Sequence, residues 1–311
     1  MIFTSTIPDN LKAGKELSTY LSERFTYFSR DKWLEKIREK KVTINGVIAC
    51  ECDTALPGAQ ISYDAGEFEE PPANLNYKII YEDKWLLGID KPGNLLVHRA
   101  GKSFRNNLIY QLRAVHDPKY VNAQSVHRLD RDTSGVVLIA KTSEACSVMG
   151  NLFVKNMVEK EYLAIVKGIP EFQKSEISIP IGKDRSSLIG YKYRPDPAGK
   201  FSVTMVEEIT PIGKTHALMR MRPLTGRTHQ IRIHCAATGH PIIGDKLYTM
   251  SESQYIKWRE NPQEYGGIDF PRHALHCKSI SFKHPYMNTL CTITADLPDD
   301  LSNLISELKG E

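Results

Sequence analysis

A chain of 311 residues has room for one large domain and one small one. Its 41% hydrophobic and 25% charged residues are those of a folded globular protein, and apolar runs such as Val136 to Ala140 are too short to span a bilayer. The net charge of +4 is mild, yet Lys214, Arg220, Arg222, Arg227 and Arg232 crowd the acid-free stretch from Thr210 to Gly244, which suits a polyanion partner or a solvated basic face. Met1 to Asn10 lacks a basic start followed by an apolar core, so a cytoplasmic protein without a signal peptide is expected.

Leu17, Tyr20, Leu21 and Phe25 at helical spacing predict a first helix over Leu11 to Phe25. Ser29 is placed to cap a second helix, Arg30 to Lys41, with Trp33, Leu34 and Ile37 on one face. The other face carries Arg30, Lys32, Lys36, Arg38, Lys40 and Lys41. Asn45-Gly46 between Val42-Thr43-Ile44 and Val47-Ile48-Ala49 predicts a hairpin, and Pro57-Gly58 a turn before Ile61 to Tyr63. This helix, basic helix and hairpin over Leu11 to Tyr63 resembles the small RNA-binding domain named after a small-subunit ribosomal protein. A domain over residues 1–63 that grips folded RNA is the expectation. A generic small α/β domain with a solvated charged helix is the plainer reading.

Acids gather from Asp64 to Glu70 beside Pro71-Pro72, so residues 64–76 read as a linker. From 77 to 311 a second domain is expected. Lys78 to Tyr81 and Trp85 to Asp90 read as strands, followed by a turn at Lys91-Pro92-Gly93-Asn94. Val136 to Ala140 predicts a strand covered on both faces, and Ser143 a cap for a helix to about Asn156. Tyr162 to Val166 and His216 to Arg222 read as strands, and Ile181 to Lys200 as a basic loop or long hairpin. Thr228 to Thr238 reads as a helix closed by Gly239, and Ser281 to Ala295 as further strands. Strands dominate without regular βαβ alternation. The fold class expected is α+β with a mixed, mainly antiparallel sheet.

The six cysteines are scattered without zinc spacing, so reduced and mostly buried thiols are expected, and no metal. No phosphate-binding loop or dinucleotide fingerprint is present, so no cofactor is expected. The densest polar stretch is His127-Arg128-Leu129-Asp130-Arg131-Asp132-Thr133-Ser134-Gly135, just before the buried strand. Cations beside Asp130 would keep it ionised and nucleophilic, although a salt-bridged structural turn fits the same residues.

"HRLDRDTSGVVLIAK" closely resembles the signature of the RluA-type pseudouridine synthases. Further matches come in the family's order, "DKPGNLLVH" before this stretch and "EKEYLAIVKG", "PLTGRTHQIRIH", "GHPIIGDKLY" and "PRHALHC" after it, so the resemblance runs from Tyr77 to Leu297. It implies an RNA pseudouridine synthase that flips a uridine out of folded RNA and needs no cofactor. It further implies that Asp130 is the catalytic aspartate, that Tyr162 stacks on the uracil and assists proton removal from carbon 5, and that Arg227 pairs with Asp130. Arg128 would fill the gap left in the RNA stack, with His127 and Arg232 beside it on the substrate. The expected partner is RNA, large-subunit ribosomal RNA first and transfer RNA second, with a monomer and no obligatory protein partner as the default. An RNA-binding assembly factor with a silent site, and an aspartate-dependent nucleoside hydrolase, are the competing readings; the second lacks an evident water-activating partner.

Overall fold

The computed structural model describes residues 2–11, 14–25, 28–66, 69–172, 174–261 and 270–310. The chain divides into two compact units. The first comprises Met1–Pro72 together with the excursion Arg99–Arg105, and the second Ala73–His98 with Asn106–Glu311. The chain therefore changes unit within the stretch expected to be a linker, and residues 99–105 belong to the small unit. There the Glu70 carboxylate accepts the backbone N–H of Phe104 at 2.9 Å and of Arg105 at 2.8 Å.

The first unit runs β1 (Ile2–Thr6), β2 (Lys15–Glu16), α1 (Leu17–Arg24), α2 (Arg30–Arg38), β3 (Val42–Ile44), β4 (Val47–Ile48), β5 (Thr54–Ala55) and β6 (Gln60–Asp64). Its main sheet has the order β1-β6-β3-β4 and is antiparallel throughout. Leu17, Leu21, Trp33, Ile37 and Val42 form the core beneath it. Asn45 and Gly46 adopt φ of 50° and 83°, the twist that a two-residue hairpin turn requires. Ser29 caps α2 by accepting the Lys32 backbone N–H.

Two helix boundaries differ from the sequence reading. The first helix starts at Leu17, not Leu11, because Lys15–Glu16 pair with Thr54–Ala55 instead. Lys12 and Ala13, inside the expected helix, lie outside the described residues. The second helix ends at Arg38 because Lys40 turns left-handed, with φ of 59°. Its basic face is also largely neutralised. Arg30 pairs with Glu16, Lys32 with Glu35, Lys36 with Glu39, Arg38 with Glu51 and Lys41 with Glu39.

The second unit continues with β7 (Lys78–Glu82), β8 (Leu86–Lys91), α3 (Leu108–Tyr110, running on as a π-helical turn to Val115), β9 (Gln124–Ser125) and β10 (Ser134–Ala140). Then come α4 (Ser143–Val154), β11 (Val158–Lys167), β12 (Ser175–Ser178), β13 (Ile181–Lys183), β14 (Tyr193–Pro195), β15 (Val203–Ile212) and β16 (His216–Pro223). It closes with α5 (Gln230–Ala237), α6 (Lys246–Thr249), α7 (Glu252–Glu260), β17 (Leu275–Lys283), β18 (Leu290–Thr294) and α8 (Asp299–Lys309). Among the described residues one sheet has the order β12-β15-β16-β11-β17-β10-β8-β7, with β9 and β18 branching from it. Its one parallel pairing is β10 with β17; every other ladder is antiparallel. The mixed, mainly antiparallel α+β architecture is thus the one expected. β10 is buried at every position, as its unbroken apolar run requires.

Local corrections follow from caps and cross-strand partners. Thr142, not Ser143, caps α4, and the helix ends at Val154 ahead of left-handed Asn156. The acid-free stretch is not a free basic patch. Neighbouring strands bring Glu161 and Glu208 to Arg220, and Glu207 to Arg222. Of the cysteines, Cys235, Cys277 and Cys291 are buried and Cys146 is half-buried, but Cys50 and Cys52 are exposed in the turn after β4. Among the described residues no helix is long and apolar enough to cross a membrane.

Candidate active site

Gly135, the second residue of β10, has φ of 106°, and a Cβ there would lie 2.1 Å from the Cys277 carbonyl oxygen. Only glycine allows β10 and β17 to approach so closely at this point. The loop before it, residues 127–133, is held from several sides. Buried Lys91 donates to the carbonyls of Pro92 at 2.8 Å, Leu95 at 2.9 Å and Arg131 at 3.1 Å. Burial pushes its amine down to about 7, yet three acceptors match the three donors of an ammonium. Arg272 donates to the Asp132 carbonyl at 3.0 Å while a bidentate pair with Asp300 fixes its own position. Thr133 Oγ1 and His273 Nε2 share a 2.7 Å hydrogen bond.

This loop presents Asp130 to a cavity of about 500 Å³ that also admits His127, Arg128, Lys160, Tyr162, Arg227, His229 and Arg232. The Asp130 Oδ2 atom accepts from Arg232 Nη1 at 2.9 Å. Arg232 in turn donates from Nε to Asp245 Oδ2 at 2.7 Å and from Nη2 to Asp245 Oδ1 at 2.8 Å. One guanidinium thus spans two carboxylates, bidentate on the deeper one, which sets its plane. Tyr248 lies across its face, with the guanidinium carbon 5.1 Å from the ring centroid. Among the described residues Asp130 Oδ1 accepts no hydrogen bond and remains available to the cavity.

The pairing of Asp130 with Arg227 is corrected by this geometry. Arg227 is exposed and donates from Nε to the Phe201 carbonyl at 3.0 Å. The reason lies in the start of α5. Buried Gln230 accepts from Thr225 Oγ1 and the Arg227 N–H, and donates to the Val203 carbonyl. That anchors the turn, and left-handed His229 then opens the helix, with Arg232 in its first turn facing Asp130. Arg227 stays ahead of the helix at the cavity wall.

The other expected residues do reach the cavity, in differing states. Tyr162 is buried to 9% exposure, and burial raises its phenol well above the usual value. Arg128 is exposed, and its side chain holds no ion pair or hydrogen bond among the described residues. His127 is committed: Nε2 accepts the Leu138 backbone N–H at 2.9 Å, and its ring stacks on Phe153 at 4.7 Å between centroids. Burial lowers it to about 3, so it is neutral and braces the loop.

The charge state of the centre follows. Burial alone would raise the Asp130 carboxyl, but His229, when protonated, and Arg232 outweigh it and hold the group well below the usual carboxylate range. Asp245 lies below its ordinary value as well, burial being offset by Arg232. Burial lowers His229 and His273 to about 4, so both are neutral at neutral pH. The arrangement is an ionised, part-buried carboxylate with one free oxygen, facing a roomy cavity. Asp245, His229, Lys91, Arg272 and His273 are the parts the sequence reading did not assign. Their local traces are Lys91 in "DKPGNLLVH", His229 in "PLTGRTHQIRIH", Asp245 in "GHPIIGDKLY" and Arg272-His273 in "PRHALHC". His273 and His276 are hydrogen-bonded to Thr133 and Ser134.

Comparison with known proteins points one way. The family model described as RNA pseudouridylate synthase matches residues 86–237. Ribosomal large subunit pseudouridine synthase D of Vibrio cholerae is 32% identical over 316 residues, covering 99% of this chain and 95% of that protein. The protein of the same name from Buchnera aphidicola is 33% identical over 311 residues, covering 96% and 95%. Among solved structures, human RNA Pseudouridylate Synthase Domain Containing 4 aligns with a TM-score of 0.56 at 22% identity, over 74% of this chain and 92% of that one. Human RNA Pseudouridylate Synthase Domain Containing 1 gives 0.55 at 23%, over 78% and 98%, so the fold is shared.

Proposed function

The chain belongs to the RNA pseudouridine synthase family, and on that premise we propose that it isomerises uridine in large-subunit ribosomal RNA with Asp130 as the reacting carboxylate. The observation that carries this reading is the ionised Asp130, held through Oδ2 by Arg232 and open at Oδ1. The relatives' names supply the RNA class. On the same reading it works in the cytoplasm, as a monomer.

The reaction moves the uracil without adding or removing atoms. The bond from the sugar to N1 breaks, the base rotates, a bond to carbon 5 forms, and the carbon 5 proton leaves while N1 gains one. The uridine must first leave the RNA stack. The cavity of about 500 Å³ is of small-ligand size, and Tyr162 in its wall gives the base a face to stack on. Because its phenol stays protonated, Tyr162 does not stand ready as a base and can only relay a proton. Arg128, exposed and unpaired, is free to occupy the vacated stack and meet phosphate. Asp130 Oδ1 serves equally for attack on the sugar or abstraction of a sugar proton.

Pseudouridine mapping of ribosomal RNA from cells with and without the gene tests the reading. Particular pseudouridines should vanish without the gene and return with the wild-type protein. Unchanged sites, with the protein still bound to ribosomal RNA, would establish the silent assembly-factor alternative instead.

A further inference from the structure

The small unit holds a cavity of its own, of about 360 Å³, lined by Phe3, Phe25, Trp33, Tyr63, Arg24 and Arg99 among others. We propose that this cavity, and not the basic face of α2, is the small unit's RNA-contacting site, and that it takes one unstacked nucleotide of a single-stranded RNA segment. The proposal rests on the RNA-modifying function above and adds a second point of contact to it.

Charge complementarity gives the first reason. Arg30, Lys32, Lys36, Arg38 and Lys41 on or beside α2 each hold a carboxylate of this chain. A phosphate there must compete with an acid already in place, and little counterion release remains to drive binding. Arg24 and Arg99 are exposed and have no carboxylate partner among the described residues. Both lie on the same cavity.

The lining gives the second reason. Phe104 stacks on Phe3 with centroids 4.0 Å apart, and the Arg99 guanidinium lies over Phe104 at 4.2 Å and over Phe3 at 5.6 Å. Stacking fixes the plane of Arg99 and leaves its N–H donors for a phosphate oxygen. Half-buried Phe3 and Phe25 present rings to the cavity, and Trp33 and Tyr63, 0% and 7% exposed, close its floor. Aromatic walls with a cationic rim suit a base and its phosphate, and single-stranded bases are recognised in this way. The volume falls within the roughly 300–1,000 Å³ of small-ligand sites.

An edge strand gives the third. β1 pairs with β6 alone among the described strands, so its outer edge keeps backbone donors and acceptors free of a strand partner. Thr4 and Ser5 of that strand line the cavity. Hydroxyls and backbone groups at this edge can meet base edges and the 2′-hydroxyl.

The test uses the full chain and a fluorescein-labelled single-stranded 12-nucleotide RNA, with affinity measured by anisotropy over a series of salt concentrations. The Arg24→Glu/Arg99→Glu double variant should bind about tenfold more weakly, with a salt slope shallower by about 1.4, the value for two phosphates on a single strand. Its turnover at saturating ribosomal RNA should equal wild type. Photocrosslinking with 4-thiouridine RNA should label Phe3 or Phe25. Wild-type affinity and slope in the double variant of an active enzyme, or crosslinks confined to the large unit, would overturn this site alone. A wild-type protein that neither binds RNA nor forms pseudouridine would overturn the underlying function with it.

Discussion

On α2 and in the Asp130 cavity the chain uses the same ion pairs at different depths. Arg38 meets Glu51 through two hydrogen bonds of 2.8 Å, as good in geometry as Arg232 on Asp245. Yet Arg38 and Glu51 are exposed, so water screens the pair and the protein gains little from it. Arg232 and Asp245 are buried, and there each charge depends on its partner to remain in the fold at all. Surface pairs therefore adjust which cations are free to meet RNA, whereas the buried set fixes a charge state and a direction of attack.

Removing Arg232 should break that contrast most strongly. Arg232→Met leaves buried Asp245 and part-buried Asp130 without the cation between them. Loss of roughly 3–5 kcal/mol of stability is expected, with turnover undetectable, as read by urea unfolding and pseudouridine assay. Stability within 1 kcal/mol of wild type, by the same scale, would mean that the carboxylates need no such partner. Arg227→Gln should separate the two arginines. It should leave the urea midpoint unchanged, since the side chain is exposed, and lower turnover about tenfold through lost substrate positioning. A collapse as deep as that of Arg232→Met would restore Arg227 as the partner of Asp130.

Acid should act on the buried set next. Burial lowers His229, His273 and His276 to about 4, against an unfolded value near 6.5. Between those limits the unfolded chain binds the extra protons, so stability falls as pH drops from about 6.5 to about 4. Asp130 and Asp245, both depressed, add stability that is present above about 4, the unfolded value, and is lost as pH falls further. Urea midpoints measured from pH 8 to 4 should decline from about 6.5 downward; a flat profile to pH 5 would show that the histidines are not buried neutral. The smallest effect belongs to α2, where Arg38→Ala should leave the unfolding midpoint within replicate scatter. A clear drop would mean that the exposed pairs act as a cooperative network.

The same contrast explains what could be read from the chain. Elements with a local signature were legible. Asn45-Gly46 sets the hairpin, Ser29 caps α2, and the apolar run of β10 predicts its burial. β1 was not, because its place depends on β6, far along the chain. Nor was the start of α1, since pairing of Lys15–Glu16 with Thr54–Ala55 overrides the helical periodicity. α8 carried a readable stripe of Leu301, Leu304 and Leu308, which the sequence reading passed over. Within the site, Asp130 and Tyr162 stood in long motifs, and the structure brings both to the cavity. The partner of Asp130 lies 102 positions away, and which of two nearby arginines turns inward depends on where α5 begins. Strand register likewise puts Glu207 and Glu208 beside arginines that look unpaired in the linear sequence.

Single-turnover pseudouridine formation by Asp130→Asn on a large-subunit ribosomal RNA transcript, with RNA affinity measured in parallel, tests the central assignment most directly. The amide keeps the shape of the side chain but removes its charge and its nucleophilic oxygen. RNA affinity near wild type with no pseudouridine formed is the outcome expected, since phosphate contacts elsewhere carry the binding. An Asn variant that still converts most of the uridine would contradict the assignment of Asp130 as the reacting group.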